Sequence, residues 1–251
     1  MKKFRLYRFS LFVVFLLAMV HTPCAISVSN GMGVKKFVFN EADFVTDLPG
    51  TNYSAMIALY DSLNLDNKGL SQEAFDYAAR GYIYLKEQGK LSNSRVLTII
   101  DFTKPSSQKR LFIVDVENIK LLFNTYVAHG QNTGEAYAKK FSNKMESFQS
   151  SLGFYITTGT YMGKNGFSMQ LEGMENGIND KAGERAIVMH GAPYVSEGFI
   201  RSRGYLGRSH GCPAVPETLN KPIIEKIKNG SCLFIYSNDL TYINRSKIIN
   251  I

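Results

Sequence analysis

The spacing of hydrophobic positions predicts two helices near the start of the chain. Apolar side chains recur every three or four residues in YSAMIALYDSL (53–63) and again in SQEAFDYAARGYIYLKEQGK (71–90). This is the period of one helical face. Ser71 is a typical N-cap for the second helix, and Gly89 suits its end. Two such helices in succession predict a helical hairpin.

Beyond Leu91 the period becomes two, which is typical of strands with two different faces. The predicted strands are RVLTIIDF (95–102), KRLFIVDV (109–116), NIKLLFNTYVAHG (118–130), SLGFYITTGTY (151–161), FSMQLEG (167–173), RAIVMHGA (185–192) and SCLFIYSN (231–238). One late helix is expected, with Pro222 in its first turn and Gly230 at its end. The fold class is therefore mainly β, a sandwich or barrel, with a small amino-terminal helical segment and one late helix.

The first 25 residues have the pattern of a signal peptide. Basic residues at positions 2, 3, 5 and 8 precede an apolar run from Phe9 to Val20 that is short for a membrane span. An uncleaved anchor is the alternative. We expect export to the periplasm or cell envelope and four segments: a signal peptide (1–25), an extended lead-in with the helical hairpin (26–92), the main domain (93–238) and a C-terminal tail (239–251).

Charge and size limit the class of partner. The chain has 251 residues and is 45% apolar, enough for a sizeable core. Without the leader, 25 basic and 21 acidic residues remain, a net charge of +4. The basic residues are scattered and no basic stripe alternates with aromatics, so nucleic acid is not an expected partner. We expect a monomer, and the mild positive charge is compatible with an anionic polymer of the envelope.

The candidate chemistry lies in GYLGRSHGCPAVP (204–216), a loop marked by glycine and proline around Cys212. A cysteine nucleophile needs a base, and His190, at the end of a predicted strand, is the candidate. The backbone N–H groups of Gly211 and Cys212 could face an oxyanion. Arg201, Arg203 and Arg208 are the cations near enough in sequence to lower the thiol pKa.

Other roles for these residues stay open at this point. Cys212 could pair with Cys232, which lies in a predicted buried strand. His190, His210 and Cys212 could hold zinc, but their spacing is not that of a usual ligand set and no fourth ligand is evident. His129, at another strand end, could line the same cleft or could be a solvated turn residue.

The stretch HGAPYVSEGFIRSRGYLGRSHGC (190–212) resembles the signature of the YkuD-type L,D-transpeptidases of bacterial cell walls. The resemblance covers roughly residues 93–238. Pro213 and Ala214 after the cysteine make it most similar to the murein L,D-transpeptidase subfamily with an HGCPA motif. The separation of 22 residues between His190 and Cys212 is longer than in the commonest form of the motif, a departure that concerns acceptor recognition more than the identity of the nucleophile.

The resemblance implies a role for each matching residue. Cys212 would be the nucleophile, His190 the base, and the carbonyl of Gly191 the group that orients His190. The nearby loop residues would shape the loop and support the oxyanion, namely Ser209, His210 and Gly211. If the substrate is the stem peptide that the resemblance implies, Arg208, beside the nucleophile, is a candidate to bind a stem carboxylate through a bidentate contact.

The implied reaction is acyl transfer on peptidoglycan stem peptides through a thioester, which forms 3→3 crosslinks. Resolution of the thioester by water would make the protein an L,D-carboxypeptidase, and resolution by a lysine of an envelope protein would make it an anchoring transpeptidase. A non-catalytic peptidoglycan-binding protein and a sortase-like enzyme are further alternatives. No metal, nucleotide or redox cofactor is expected.

Overall fold

The computed structural model describes residues 50–250, so the predicted signal peptide and most of the predicted lead-in lie outside the described residues. The helices and strands of this part are, in chain order, α1 Gly50–Ser62, α2 Gln72–Glu87, β1 Val96–Asp101, β2 Leu111–Asp115, β3 Lys120–Thr125, β4 Gly153–Gly163, β5 Gly166–Gly173, β6 Val188–Ala192, α3 Glu197–Arg203, β7 Ala214–Pro216, α4 Glu217–Ile227, β8 Cys232–Tyr236 and α5 Leu240–Arg245.

The eight strands form one sheet in the order β3-β2-β1-β8-β4-β5-β6-β7. The pairs β1–β8 and β6–β7 are parallel and the other pairs are antiparallel. The segment after β3 returns to the opposite edge, where Ala128 bridges to Ala214 of β7. The sheet is therefore barrel-like and nearly closed, and the predicted mainly β fold class is confirmed.

The core lies between the sheet and the helices. Strands β1, β2 and β8 are buried along their whole length, as expected for strands covered on both faces. Helix α2 begins at Ser71, whose hydroxyl accepts the N–H of Ala74, and it packs on β1 and β8. Gly81 of this helix faces the ring of Phe154, and a Cβ there would overlap that ring. The helical hairpin and the sheet thus share one hydrophobic core. The domain boundaries proposed from the sequence stay predictions.

The late helix differs from its predicted start. It begins at Glu217, and Pro222 lies inside it instead of in its first turn. Proline in a helix interior removes one backbone hydrogen bond. Ile223, Ile224 and Ile227 of this helix are fully buried, and we attribute its stability to their packing against the sheet.

Two short helices were not predicted. Helix α3 has no buried residue, so it lacks the hydrophobic period that reveals a helix. Its signals are local: the hydroxyl of Ser196 accepts the N–H of Phe199, and Gly204 ends the helix with a positive φ of 81°. Helix α5 lies in the predicted C-terminal tail, where its Tyr242 hydroxyl donates to buried Glu175.

Candidate active site

The loop that carries Cys212 joins α3 to β7 and requires glycine beside the cysteine. Gly211 has a φ of 123°, a region that side chains rarely adopt. A Cβ at this position would also meet the carbonyl oxygen of Gln149 at 2.8 Å. The close approach of the 147–151 segment therefore fixes both the residue type and the path of the loop.

Ser209 fastens the loop on both sides of the cysteine. Its buried hydroxyl accepts the N–H of Gly211 at 3.1 Å and donates to the carbonyl of Cys212 at 2.6 Å. Ser150 adds a second fastening, because its hydroxyl donates to the carbonyl of Gly211 and accepts the N–H of Gly130. In this conformation the N–H of Gly211 is engaged inside the loop, which differs from the expectation that it faces an oxyanion.

The thiol of Cys212 is partly exposed and points at the start of β6. It lies 3.7 Å from the carbonyl oxygen of Ala186, to which it donates, and 3.5 Å from the backbone nitrogen of Val188, from which it accepts. Burial raises the pKa of the thiol, while the N–H of Val188 and the charge of Arg185 act to lower it. Because the net direction is upward, the protonated thiol is the resting form at neutral pH.

The expectation that Arg201, Arg203 and Arg208 lower the thiol pKa is wrong. The first two lie on exposed helix α3, where Arg201 faces Glu197 at 3.8 Å and Arg203 covers the ring of Phe199. Helix α3 directs these side chains to solvent, which sequence distance alone does not show. The cation that interacts with Cys212 is Arg185, in the segment before β6.

His190 lies within β6 with its side chain almost fully buried. Its Nδ1 is 2.9 Å from the carbonyl oxygen of Gly191, the hydrogen bond that the family resemblance implied. A carbonyl can only accept, so the proton is on Nδ1 and Nε2 carries the lone pair. Burial lowers the pKa of His190, which also favours this neutral form.

The register of the sheet brings His190 and Cys212 to neighbouring positions. His190 pairs with Ala214, two residues beyond Cys212, and the thiol contacts the N–H of Val188, two residues before His190. Two residues along a strand span about 7 Å. The thiol is hydrogen-bonded to the carbonyl of Ala186 and not to the imidazole.

The remaining predicted loop residues, His210 and Arg208, contact segments beside the loop. The exposed His210 ring packs against Phe148, with 4.6 Å between ring centroids. Arg208 directs Nη1 to the carbonyl oxygens of Gly134 at 3.2 Å and Gln131 at 3.4 Å. Its guanidinium thus braces the 131–134 turn against the loop, and binding of a stem carboxylate by Arg208 stays a prediction.

His129 belongs to the support beneath the loop. Arg110 Nη2 lies 2.8 Å from His129 Nδ1, and His129 Nε2 lies 3.2 Å from the carbonyl oxygen of Gly134. Since an arginine only donates, Nδ1 accepts and Nε2 carries the proton. Burial and the charge of Arg110 lower the pKa of His129 to about 3. The backbone carbonyl of His129 accepts the N–H of Ser209, so this neutral histidine supports the strand to which the loop is attached.

Sequence reasoning missed Arg185 and Tyr194. Tyr194 follows β6, its pKa is raised to about 12 by burial and by the neighbouring Cys212, and its side chain occupies the space where Gly207 would carry a Cβ. Both residues lie close to His190 in the chain, and Tyr194 is inside the quoted motif. Because Arg185 and Tyr194 are 27 and 18 positions from Cys212 in the sequence, the sequence did not indicate that they interact with it.

Within residues 50–250, Cys212 and Cys232 are both free thiols, and Cys232 is fully buried in β8. The same part of the chain contains no group of three His, Cys, Asp or Glu side chains placed to hold a metal. None of its helices combines the length and apolar character needed to cross a bilayer.

A family model for the L,D-transpeptidase catalytic domain matches residues 66–236 of the chain. Since this span covers more than half of the sequence, the protein belongs to that family. The match includes His190, the nucleophile loop and all eight strands of the sheet.

Solved structures, two of them L,D-transpeptidases by name, are also similar to the chain. An L,D-transpeptidase from Mycobacterium smegmatis has 12% identity and a TM-score of 0.37, over 57% of this chain and 59% of that one. An L,D-transpeptidase from Stackebrandtia nassauensis has 14% identity and a TM-score of 0.35, over 75% and 79%. The helical cell shape determining protein of Campylobacter jejuni has 12% identity and a TM-score of 0.35, over 58% and 45%. Among curated proteins, none matches the chain.

Proposed function

We propose that this protein is an exported enzyme that transfers acyl groups between peptidoglycan stem peptides, with Cys212 as nucleophile and His190 as general base. The observation that carries the proposal is the pairing of β6 with β7 in a member of this family. In that register His190 pairs with Ala214, two residues beyond the partly exposed Cys212, and Nε2 of the neutral His190 ring carries the lone pair, which supports this assignment of roles. A base in this form can accept a proton without first losing one.

In the first half-reaction, the thiol turns from the carbonyl of Ala186 toward Nε2 of His190. As the sulfur attacks the carbonyl carbon between the third stem residue and D-alanine, its proton passes to Nε2. The tetrahedral intermediate then collapses, the C–N bond breaks, and His190 returns the proton to the departing amine of D-alanine. The acyl group remains on Cys212 as a thioester.

In the second half-reaction, an amine of another stem attacks the thioester carbon. His190 takes a proton from this amine and delivers it to the departing sulfur, which restores the thiol. The product is a 3→3 crosslink. Water as acceptor would give a shortened stem peptide, and a lysine of an envelope protein would give an anchored protein.

The raised pKa of Cys212 and the lowered pKa of His190 support general-base catalysis in preference to a preformed thiolate–imidazolium pair. Both groups are neutral in the resting site at pH 7, so the proton moves during attack. The hydrogen bond from Nδ1 to the carbonyl of Gly191 keeps the ring in the required orientation and partly stabilises the imidazolium that forms.

The test is mass spectrometry of disaccharide-tetrapeptide muropeptides incubated with the protein. We expect loss of D-alanine together with crosslinked dimers from the wild type and from Cys232→Ala, the matched buried cysteine, and neither product from Cys212→Ala. Shortened monomers alone would identify a carboxypeptidase. Turnover by Cys212→Ala would contradict the proposal, and binding without turnover by the wild type would identify a non-catalytic binding protein.

A further inference from the structure

Arg185 connects the nucleophile loop to the 142–151 segment. Its guanidinium donates to four oxygen atoms of that segment: Nη1 to the Ser142 carbonyl at 2.7 Å and the Ser151 hydroxyl at 2.5 Å, and Nη2 to the Gln149 carbonyl at 2.5 Å and the Ser147 hydroxyl at 3.2 Å. Side chains held by this many bonds keep one orientation.

The same guanidinium lies against the residue next to the nucleophile. A Cβ at Gly211 would come within 3.3 Å of Arg185 Nη2. The residue after Arg185 is Ala186, whose carbonyl accepts the thiol of Cys212, and two residues later the N–H of Val188 donates to the sulfur. The chain that follows Arg185 therefore contacts the nucleophile through its backbone, and the Arg185 side chain approaches Gly211, the residue before the nucleophile.

The charge of Arg185 has no carboxylate to balance it. Its four hydrogen-bond acceptors are carbonyl and hydroxyl oxygens, and among the described residues it forms no ion pair with an acid. Within the described residues, the buried Nε of Arg185 has no hydrogen-bond partner. Burial lowers the pKa of Arg185, whereas Tyr155 and Cys212, in their ionised forms, act to raise it. An arginine stays protonated under such conditions, so a positive charge is fixed against Gly211, next to the nucleophile.

The other titratable groups around Cys212 are neutral or directed elsewhere. Tyr194, with its pKa raised to about 12, carries no charge at neutral pH, and burial keeps His190 neutral. Arg208 is directed at the carbonyls of the 131–134 turn, and His210 packs on Phe148.

We propose that Arg185 is a positioning residue for the nucleophile, whose fixed guanidinium holds the loop in place and stabilises the negative charge that the Cys212 sulfur acquires. The proposal rests on the proposed function for its catalytic meaning. What it predicts is a shift in the equilibrium between the thiol and thiolate forms of Cys212, and this equilibrium can be measured without any substrate.

The test is the rate at which iodoacetamide, a neutral reagent, alkylates Cys212 as a function of pH. Mass spectrometry of the digested full-length protein separates the Cys212 peptide from those of Cys24 and Cys232. An opposite charge close to an ionisable group typically shifts its pKa by one unit or more. We therefore expect Arg185→Gln to raise the midpoint of the profile by about one pH unit and to slow alkylation at pH 7 about tenfold.

Two further variants separate charge from structure. Arg185→Lys keeps the charge but loses the fork of hydrogen bonds, so we expect its midpoint to stay near that of the wild type. Arg203→Gln removes an exposed arginine of α3 and should leave the profile unchanged. An unchanged midpoint in Arg185→Gln, or an equal upward shift in Arg185→Lys, would overturn the proposal. If Arg185→Gln does not fold, the lysine variant alone decides.

The outcomes for Arg185 and for the proposed function are distinguishable. If the alkylation midpoint of Cys212 depends on the charge at position 185 but the protein does not turn over muropeptides, this proposal is retained and the proposed function is rejected. Turnover that requires Cys212, with a midpoint that ignores Arg185, would do the reverse.

Discussion

Mildly acidic solution should lower the stability of the folded protein through His129, because its imidazole is then protonated in the unfolded chain but not in the folded one. In the folded protein this ring accepts from Arg110 and donates to Gly134, and burial together with the charge of Arg110 lowers its pKa from the ordinary 6.5 to about 3. A proton on Nδ1 would remove the acceptor and set two cations face to face in a buried site. The neutral form is thus favoured by folding. The stability that it contributes is complete above pH 6.5 and is lost as the pH falls toward 3.

The size of the effect follows from the two pKa values. A solution at pH 5 is 1.5 units below the pKa of 6.5 that the His129 imidazole has in the unfolded chain, whereas the imidazole of the folded protein is still neutral at this pH. Each pH unit below the unfolded pKa corresponds to about 1.36 kcal/mol. Protonation of His129 in the unfolded chain therefore lowers the free energy of unfolding at pH 5 by about 2 kcal/mol relative to pH 8. The loss grows further toward pH 3.

The assay is urea unfolding of the wild type and of His129→Gln at pH 8 and pH 5. A glutamine can accept from Arg110 and donate to Gly134 but does not titrate. We expect the variant to be less stable at pH 8 by about 1–2 kcal/mol, and its loss between pH 8 and pH 5 to be smaller than that of the wild type by about 2 kcal/mol. Other titrating groups, including His190, are present in both proteins and cancel. Equal losses in the two proteins would refute the reasoning.

Three shorter predictions concern packing, the loop and the second cysteine. Gly81→Ala drives a methyl group into the ring of Phe154, and thermal unfolding should show a loss of about 1–3 kcal/mol; an unchanged melting temperature would contradict this packing. Ser209→Ala leaves the buried N–H of Gly211 without its acceptor, and chemical unfolding should show a loss of about 1–3 kcal/mol; wild-type stability and turnover would show that the bond is dispensable. Cys232 is fully buried and should resist iodoacetamide until the protein is unfolded in urea; alkylation at the native rate of Cys212 would contradict its burial.

The sequence pattern was sufficient for elements with a clear hydrophobic period. Strands β1, β2 and β8 are short, fully buried apolar runs, and α2 has both a cap and an apolar face, so they appear where the pattern predicts them. The pattern failed for α3, which buries nothing, and for the start of α4, where packing outweighs the proline. It also could not show that the segment after β3 reaches β7, because that bridge joins positions 86 residues apart.

For the site, local chemistry was predictable and spatial neighbours were not. The loop around Cys212 and the histidine at the end of a strand could be recognised from glycine spacing and residue type. The cation beside the sulfur could not, because its position depends on how the segment before β6 crosses the loop. Proximity in sequence favoured Arg201, Arg203 and Arg208, whereas the fold selects Arg185. The role of His129 likewise depended on a buried partner, Arg110, which lies just before β2.

The central claim is that Cys212 carries the acyl group of a stem peptide during turnover. The most direct measurement is the mass of the protein quenched in acid during reaction with a tetrapeptide muropeptide, followed by mapping of the modified peptide. The account predicts an adduct equal to the muropeptide without its terminal D-alanine, on the peptide that contains Cys212, and no adduct in Cys212→Ala. Turnover with no adduct at Cys212, or an adduct that persists in Cys212→Ala, would contradict it.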